Sequence, residues 1–339
     1  MEDSRARRRR HTRPSRRRTP LYAALATAVV VAGTAAGTVY VKAQAHSGGS
    51  AVSSSGSPSA TSSPSAAGKE SVEQVSEPAV DRDRLLAAAL ASVSVPDRAR
   101  VSAAVLDLSS GQSATYGDAA FDTASIVKVD ILAALLLQAQ DAGRHLTAAE
   151  KTYATAMIEN SDNDSASALW RIIGKAGGLD AANKRFGLTG TAGGDDMLWG
   201  LTRTTAADQL TLLQQVFGDD SRLSEASRSY VQGLMAQIAV GQHWGVSAAA
   251  DGSAWALKNG WLARSTTGLW DINSIGRVTA DGHDYLVVVL SDGNTTQAKG
   301  ISLVEAAARA AVAEFTGGDG ASAATSASAG ASDQGVLRK

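Results

Sequence analysis

The chain has 339 residues, with 32 basic and 33 acidic side chains, a formal net charge of −1 and no cysteine. The missing cysteine excludes structural disulfides, a lipid-modified N-terminal cysteine and thiolate metal sites, so the fold must rest on its own core. The charge is unevenly placed. Residues 1–18 hold nine arginines and two acids, leaving 23 basic against 31 acidic side chains, a net of −8, over the rest. An acidic body argues against nucleic acid as its partner.

In chain order, residues 1–20 form a basic leader, expected on the cytoplasmic side of a membrane. "LYAALATAVVVAGTAAGTVYV" (21–41) carries no charge and is long enough to span a bilayer as a transmembrane anchor. Ala43-Gln44-Ala45 has the small-residue pattern of a cleavage site, so 21–41 also reads as a signal segment. Either reading makes the remainder of the chain extracytoplasmic, membrane-anchored or secreted. Residues 46–79 form a Ser/Pro/Ala/Gly linker too poor in apolar residues to fold, with a reach of roughly 30 Å as a coil. Residues 317–339 repeat this low complexity and read as a disordered tail. Between them, 80–316 suits one sizeable domain.

Within that domain, 81–93 is rich in Ala and Leu and predicts a helix. "VSAAVLDL" (101–108), a "SSGQ" turn and 113–118 predict a hairpin. A long apolar helix is expected over Ser125–Ala142, ending at Gly143. The next helix opens with Thr147 as N-cap and Glu150 completing a capping box. Further helices are expected near 164–177, 179–187, 204–217 and 224–239. Strands return over 253–261, 267–282 and 283–293, and a helix over 301–315 closes the domain. This order predicts an α+β fold: an antiparallel sheet flanked by the terminal helices, with an all-helical subdomain inserted and a cleft beside it.

Ser125 and Lys128 form a Ser-x-x-Lys pair at the head of the apolar helix. Composition alone, 38 Ser and 9 Lys, yields about one such pair by chance, so the pair needs company. Ser161-Asp162-Asn163 supplies it at a helix boundary, and Lys258-Asn259-Gly260 supplies it on a strand. Ser-x-x-Lys, Ser-Asp-Asn and Lys-Thr-Gly in this order mark class A β-lactamases and penicillin-binding proteins. The chain resembles that family of serine hydrolases over nearly all of 81–316, including Arg203-Thr204-Thr205 before a helix. The resemblance implies Ser125 as nucleophile, Lys128 as its base and Ser161 as proton relay. It implies Asn163, Lys258, Asn259, Gly260 and Trp261 in substrate binding, with the Trp261 N–H as an oxyanion donor. Arg264, and more weakly Arg277, are candidates for gripping a carboxylate. Trp199, Trp244 and Trp261 are candidates for cleft walls. Each role has a chemical basis: burial and neighbouring charge free a lysine to take a serine proton, and N–H groups at a helix start favour an oxyanion.

Three departures from the family pattern matter. The strand motif has Asn259 in place of Thr. The stretch between Ser125 and Ser161 is shorter than in class A enzymes. The loop 188–205 holds no Glu, so the Glu-x-x-Leu-Asn that positions the deacylating water is absent; Asp195 and Asp196 are its only acids. The expected function is thus an exported class A β-lactamase-like hydrolase that forms an acyl-enzyme on Ser125 with a β-lactam or related amide and deacylates slowly. The alternatives are a penicillin-binding carboxypeptidase or transpeptidase acting on D-Ala-D-Ala peptides, and a non-catalytic sensor of cell-wall fragments. No metal or other cofactor is expected, since His145 and His243 have no second ligand nearby. The expected partners are a β-lactam or peptidoglycan-like small molecule and, through 21–41, a membrane; the protein is expected to be a monomer.

Overall fold

The computed structural model describes residues 80–329, with side chains through Thr316. The leader, the apolar segment 21–41, the linker 46–79 and the end of the tail lie outside the described residues. Helix α1 (Arg82–Leu90) leads to the hairpin β1 (Arg100–Asp107) and β2 (Ser113–Tyr116), then a two-residue β3 (Phe121–Asp122). The helices α2 (Val127–Asp141), α3 (Ala148–Glu159), α4 (Asn163–Ile173) and α5 (Lys175–Phe186) come next. After a two-residue β4 (Arg203–Thr204) come α6 (Ala206–Phe217) and α7 (Glu225–Met235). Strands β5 (Trp255–Ala263), β6 (Trp270–Ala280) and β7 (His283–Asn294) precede α8 (Gln297–Ala329).

The five long strands form one sheet in the order β2-β1-β7-β6-β5, every neighbouring pair antiparallel. The first long strand thus lies beside the last, and the helices from α2 to α7 are inserted between, as the element order predicts. Both faces of the sheet are covered, and the period of two along each strand sorts the side chains. Val105, Val287 and Val289 pack with Leu86 of α1 and Val304, Ala308 and Val312 of α8. Ala104, Leu286, Val288 and Leu290 face the other way, onto a core that includes Leu132 of α2 and Leu213 of α6. Burial on both faces explains why β7 reads as a continuous apolar run rather than an alternating one.

Helix α2 is the axis of the helical part: every residue from Val127 to Leu137 is buried. A helix apolar all round must sit in a core, and this one carries Lys128 into it. The capping box on α3 forms as expected, with Thr147 Oγ1 accepting from Glu150 N and Glu150 accepting from Thr147 N. The backbone of α8 runs to Ala329, into the segment where composition predicts a disordered tail; the alanines from Ala321 to Ala329 are strong helix formers. No helix among the described residues is long and apolar enough to cross a membrane.

Candidate active site

The segment before α2 is fixed from three sides. Strand β3 pairs with β4, and Thr123 N donates to Thr202 O at 2.9 Å. The Asn273 amide, reaching from β6, donates to Asp122 O and Thr123 O at 2.9 and 3.0 Å. Ala124 then adopts φ +47°, a left-handed conformation uncommon for a residue with a Cβ. Ser125 therefore sits in a 3₁₀ turn (Ala124–Ile126) just ahead of α2 and not inside a regular first turn as predicted. Gly260 of β5 presses against it: a Cβ there would lie 2.7 Å from Thr123 O and 2.8 Å from Ser125 N. Only glycine permits this approach. Because β5 is an edge strand of the sheet, one side of its backbone is free to face this turn.

Three motifs separated in sequence converge on the Ser161 hydroxyl. Lys128 Nζ donates to Ser161 O, Ser161 Oγ and Asn163 Oδ1 at 2.6, 3.0 and 2.8 Å. Lys258 Nζ donates to the same Ser161 Oγ at 3.0 Å and to Asn259 O at 2.9 Å. Ser161 holds φ +56°, and Asp162 caps α4 by accepting from Ser165 N at 2.7 Å. Strained backbone of this kind collects at functional sites.

Both lysines are completely buried. Burial pushes the Lys128 amine down to about 7, opposed in part by the Asp162 carboxylate. Burial and the charge of Lys128 hold Lys258 well below the ordinary lysine range. Repulsion between two buried ammonium groups is mutual, so the meeting of Lys128 and Lys258 on one hydroxyl favours the neutral form of each. A neutral amine at either position can take a proton from a hydroxyl, and Ser161 Oγ lies on the path between them.

Ser125 opens onto a cavity of about 460 Å³. Asn163 and Ser167 line one side, and Trp261 and Leu262 of β5 the other. The turn Met197–Leu201 forms its roof, so Trp199 and Trp261 are walls as expected. Trp244 meets Trp261 edge-on, with centroids 6.0 Å apart. No Asp or Glu among the described residues lines this cavity. Asp196 is instead paired with Lys175 at 2.6 Å on the surface.

Two expected binding residues lie elsewhere. Arg264, at the end of β5, is held by the carboxylate of Asp122 and by Asp271 at 3.6 Å, in a separate depression that includes Arg203. Its charge is already matched, so it does not offer a free guanidinium to Ser125. Asn259 is fully buried and spends both amide hydrogens on Gln242 O and Trp244 O, at 2.8 and 2.9 Å. It fastens β5 to the segment 240–245 and is absent from the cavity wall. Arg277 pairs with Asp284 and lies over Phe217.

Sequence reasoning misses Ser167 and Asn273. Ser167 lies one turn beyond Asn163 on α4, on the same face, a spacing that signals a shared cavity wall. Asn273 has no local signal, because its partners lie 150 residues away in sequence.

Residues 137–315, more than half of the chain, match the β-lactamase enzyme family. The matched span starts beyond Ser125 and Lys128, so those two rest on their own geometry. No curated protein matches the chain. Among solved structures, a PBP-A variant captured as an acyl-enzyme complex with penicillin G is similar at TM-score 0.60 and 22% identity, over 69% of this chain and 96% of that one. A β-lactamase from Xanthomonas campestris pv. campestris is similar at TM-score 0.58 and 21% identity, over 68% and 97%. The extended-spectrum β-lactamase TLA-1 is similar at TM-score 0.61 and 15% identity, over 70% and 99%. At these identities the likeness shows a shared fold.

Proposed function

The chain belongs to the β-lactamase enzyme family, and from that premise we propose that it is an exported serine hydrolase. It forms an acyl-enzyme on Ser125 with a β-lactam or a related amide and releases the acyl group slowly. The observation that carries this reading is the Ser161 hydroxyl held between two buried lysines, beside a cavity onto which Ser125 opens.

In the proposed reaction, neutral Lys128 takes the Ser125 proton as Oγ attacks the amide carbonyl. The Ser125 and Trp261 N–H groups stabilise the oxyanion. Lys128 returns the proton through Ser161 to the leaving nitrogen. Asn163 keeps Lys128 in place and Lys258 orients Ser161. With no carboxylate on the cavity wall, the second half of the cycle has no dedicated base.

A chromogenic cephalosporin tests this directly. The expected progress curve is a burst equal to the enzyme concentration, then a slow steady rate. Sustained fast turnover contradicts slow release. The missing carboxylate equally favours a penicillin-binding enzyme that cleaves D-Ala-D-Ala peptides, as does the fold shared with the penicillin-acylated PBP-A. Release of D-alanine from such a peptide, lost in Ser125→Ala, would establish that substrate. The basic leader and apolar 21–41 support placing the domain outside the cytoplasm, tethered or cleaved.

A further inference from the structure

Trp199 stands where the acyl-enzyme reading, on which this inference rests, needs water. Its indole face lies over the Lys128 amine, with Nζ 5.0 Å from the ring centroid, and its edge lines the Ser125 cavity. The ring cannot swing freely, because Nε1 donates to Ser167 Oγ at 3.1 Å. The turn that carries it is also fixed. Thr202 N donates to Trp199 O, and Leu198 N to Asp195 O. Asp196 is tied twice, by Lys175 and by the Trp170 indole N–H, which donates to its carbonyl at 2.7 Å. Gly194 allows the turn to close: a Cβ there would fall 2.1 Å from Leu198 O.

Hydrolysis of an ester on Ser125 needs a water that can reach both the carbonyl carbon and a base. In the balanced step, the water oxygen bonds to the carbonyl carbon and one of its protons passes to the Lys128 amine. The bond from that carbon to Ser125 Oγ then breaks, and Oγ takes the proton from Lys128. The acyl group leaves as a carboxylic acid. Lys128 already meets Ser161 and Asn163, and the indole over its amine takes up a further approach that a water would use.

We propose that Trp199 is a water-excluding residue that sets the lifetime of the acyl-enzyme by covering Lys128 while leaving Ser125 open to the acyl donor. An apolar ring at this place suppresses deacylation.

The test is the decay of the benzylpenicillin adduct on the full chain, followed by intact mass after free penicillin is removed, with the rate of adduct formation measured separately. Trp199→Ala should lose the adduct roughly 10²-fold faster or more, the scale of one recovered proton-transfer catalyst, and by a larger factor than any change in the rate at which it forms. Trp199→Phe, which keeps a ring over Lys128, should stay near wild type. A general loosening of the fold would alter formation as well as decay, so the split separates the two causes. Wild-type decay in a Trp199→Ala protein that still acylates overturns the proposal alone. No adduct on the wild-type chain overturns the acyl-enzyme reading and this proposal with it. Should Trp199→Ala fail to melt cooperatively, Trp199→Leu carries the same expectation of faster decay, and unchanged decay there overturns it.

Discussion

Lys128 is buried, and the Asp162 carboxylate offsets only part of what burial does to its charge. Its three contacts are a carbonyl, a hydroxyl and an amide oxygen, which orient an amine without fixing its proton. With its amine lowered to about 7, Lys128 in the proposed reaction serves as a base only when neutral. Acylation of Ser125 should therefore rise with pH through about 7 and level off above it. Rates of adduct formation from pH 5 to 9 check this. Lys128→Met should slow acylation by on the order of 10²–10⁴ and abolish the step in the profile. Gly260→Ala would force a methyl against Thr123 O and Ser125 N; it should destabilise by about 1–3 kcal/mol and slow acylation, read by urea denaturation and adduct formation together. That Lys128 and Lys258 meet on Ser161 is legible in the sequence as a motif order; the chemistry assigned to them and to Ser125 is the proposal. Arg264 misleads because its partner Asp122 lies 142 residues away, and no local pattern reports that its charge is already matched. Asn259 misleads because a motif gives a position on a strand, whereas burial by segment 240–245 decides what its amide meets.

At the level of elements, the long strands and helices announce themselves through period and capping, Thr147 and Glu150 most clearly. The ribbon of β3 and β4 does not, since two residues hold no period. Yet that ribbon, with Asn273, sets the turn that presents Ser125. The 3₁₀ start of α2 is hidden for the same reason: the departure is a backbone angle at Ala124, and alanine predicts the opposite. Helix α2 also buries Asp130 fully, where Gln209 Nε2 donates to it at 3.2 Å while Asp130 Oδ2 and Gln209 Oε1 lack partners. Burial pushes the Asp130 carboxyl from 3.8 up to about 7, so the folded protein holds this proton more tightly than the unfolded chain. Its contribution to stability is then full below about 4 and is lost as pH rises through about 7. Asp130→Asn should remove this slope. Urea midpoints at pH 5 and pH 8 check it: the variant should gain on the wild type at pH 8, by on the order of 2 kcal/mol. Equal differences at both pH values would contradict the assignment.

For the molecule as a whole, the first and last long strands pair inside the sheet, and the candidate site lies where the inserted helices meet the edge strand β5. Every residue placed at the site falls between Asp122 and Asn273. A chain lacking residues 1–79 should accordingly form the benzylpenicillin adduct at the full-length rate, which parallel mass measurements check. The architecture is legible from the order of elements because helices flanking strands leave few ways to bury both. The carboxylate-free cavity wall is legible only as a missing motif, since Trp199, which lines it, is placed by contacts to Ser167 and Lys128 that no spacing reveals. The proposed chemistry stands or falls on Ser125 as a nucleophile served by Lys128 and Ser161. Its decisive test is timed intact mass of the full chain with excess benzylpenicillin, followed by peptide mapping. The expected result is one penicillin-sized adduct, mapped to Ser125, persistent, and absent in Ser125→Ala. An adduct on another residue, or none while the wild-type protein remains folded, would contradict it.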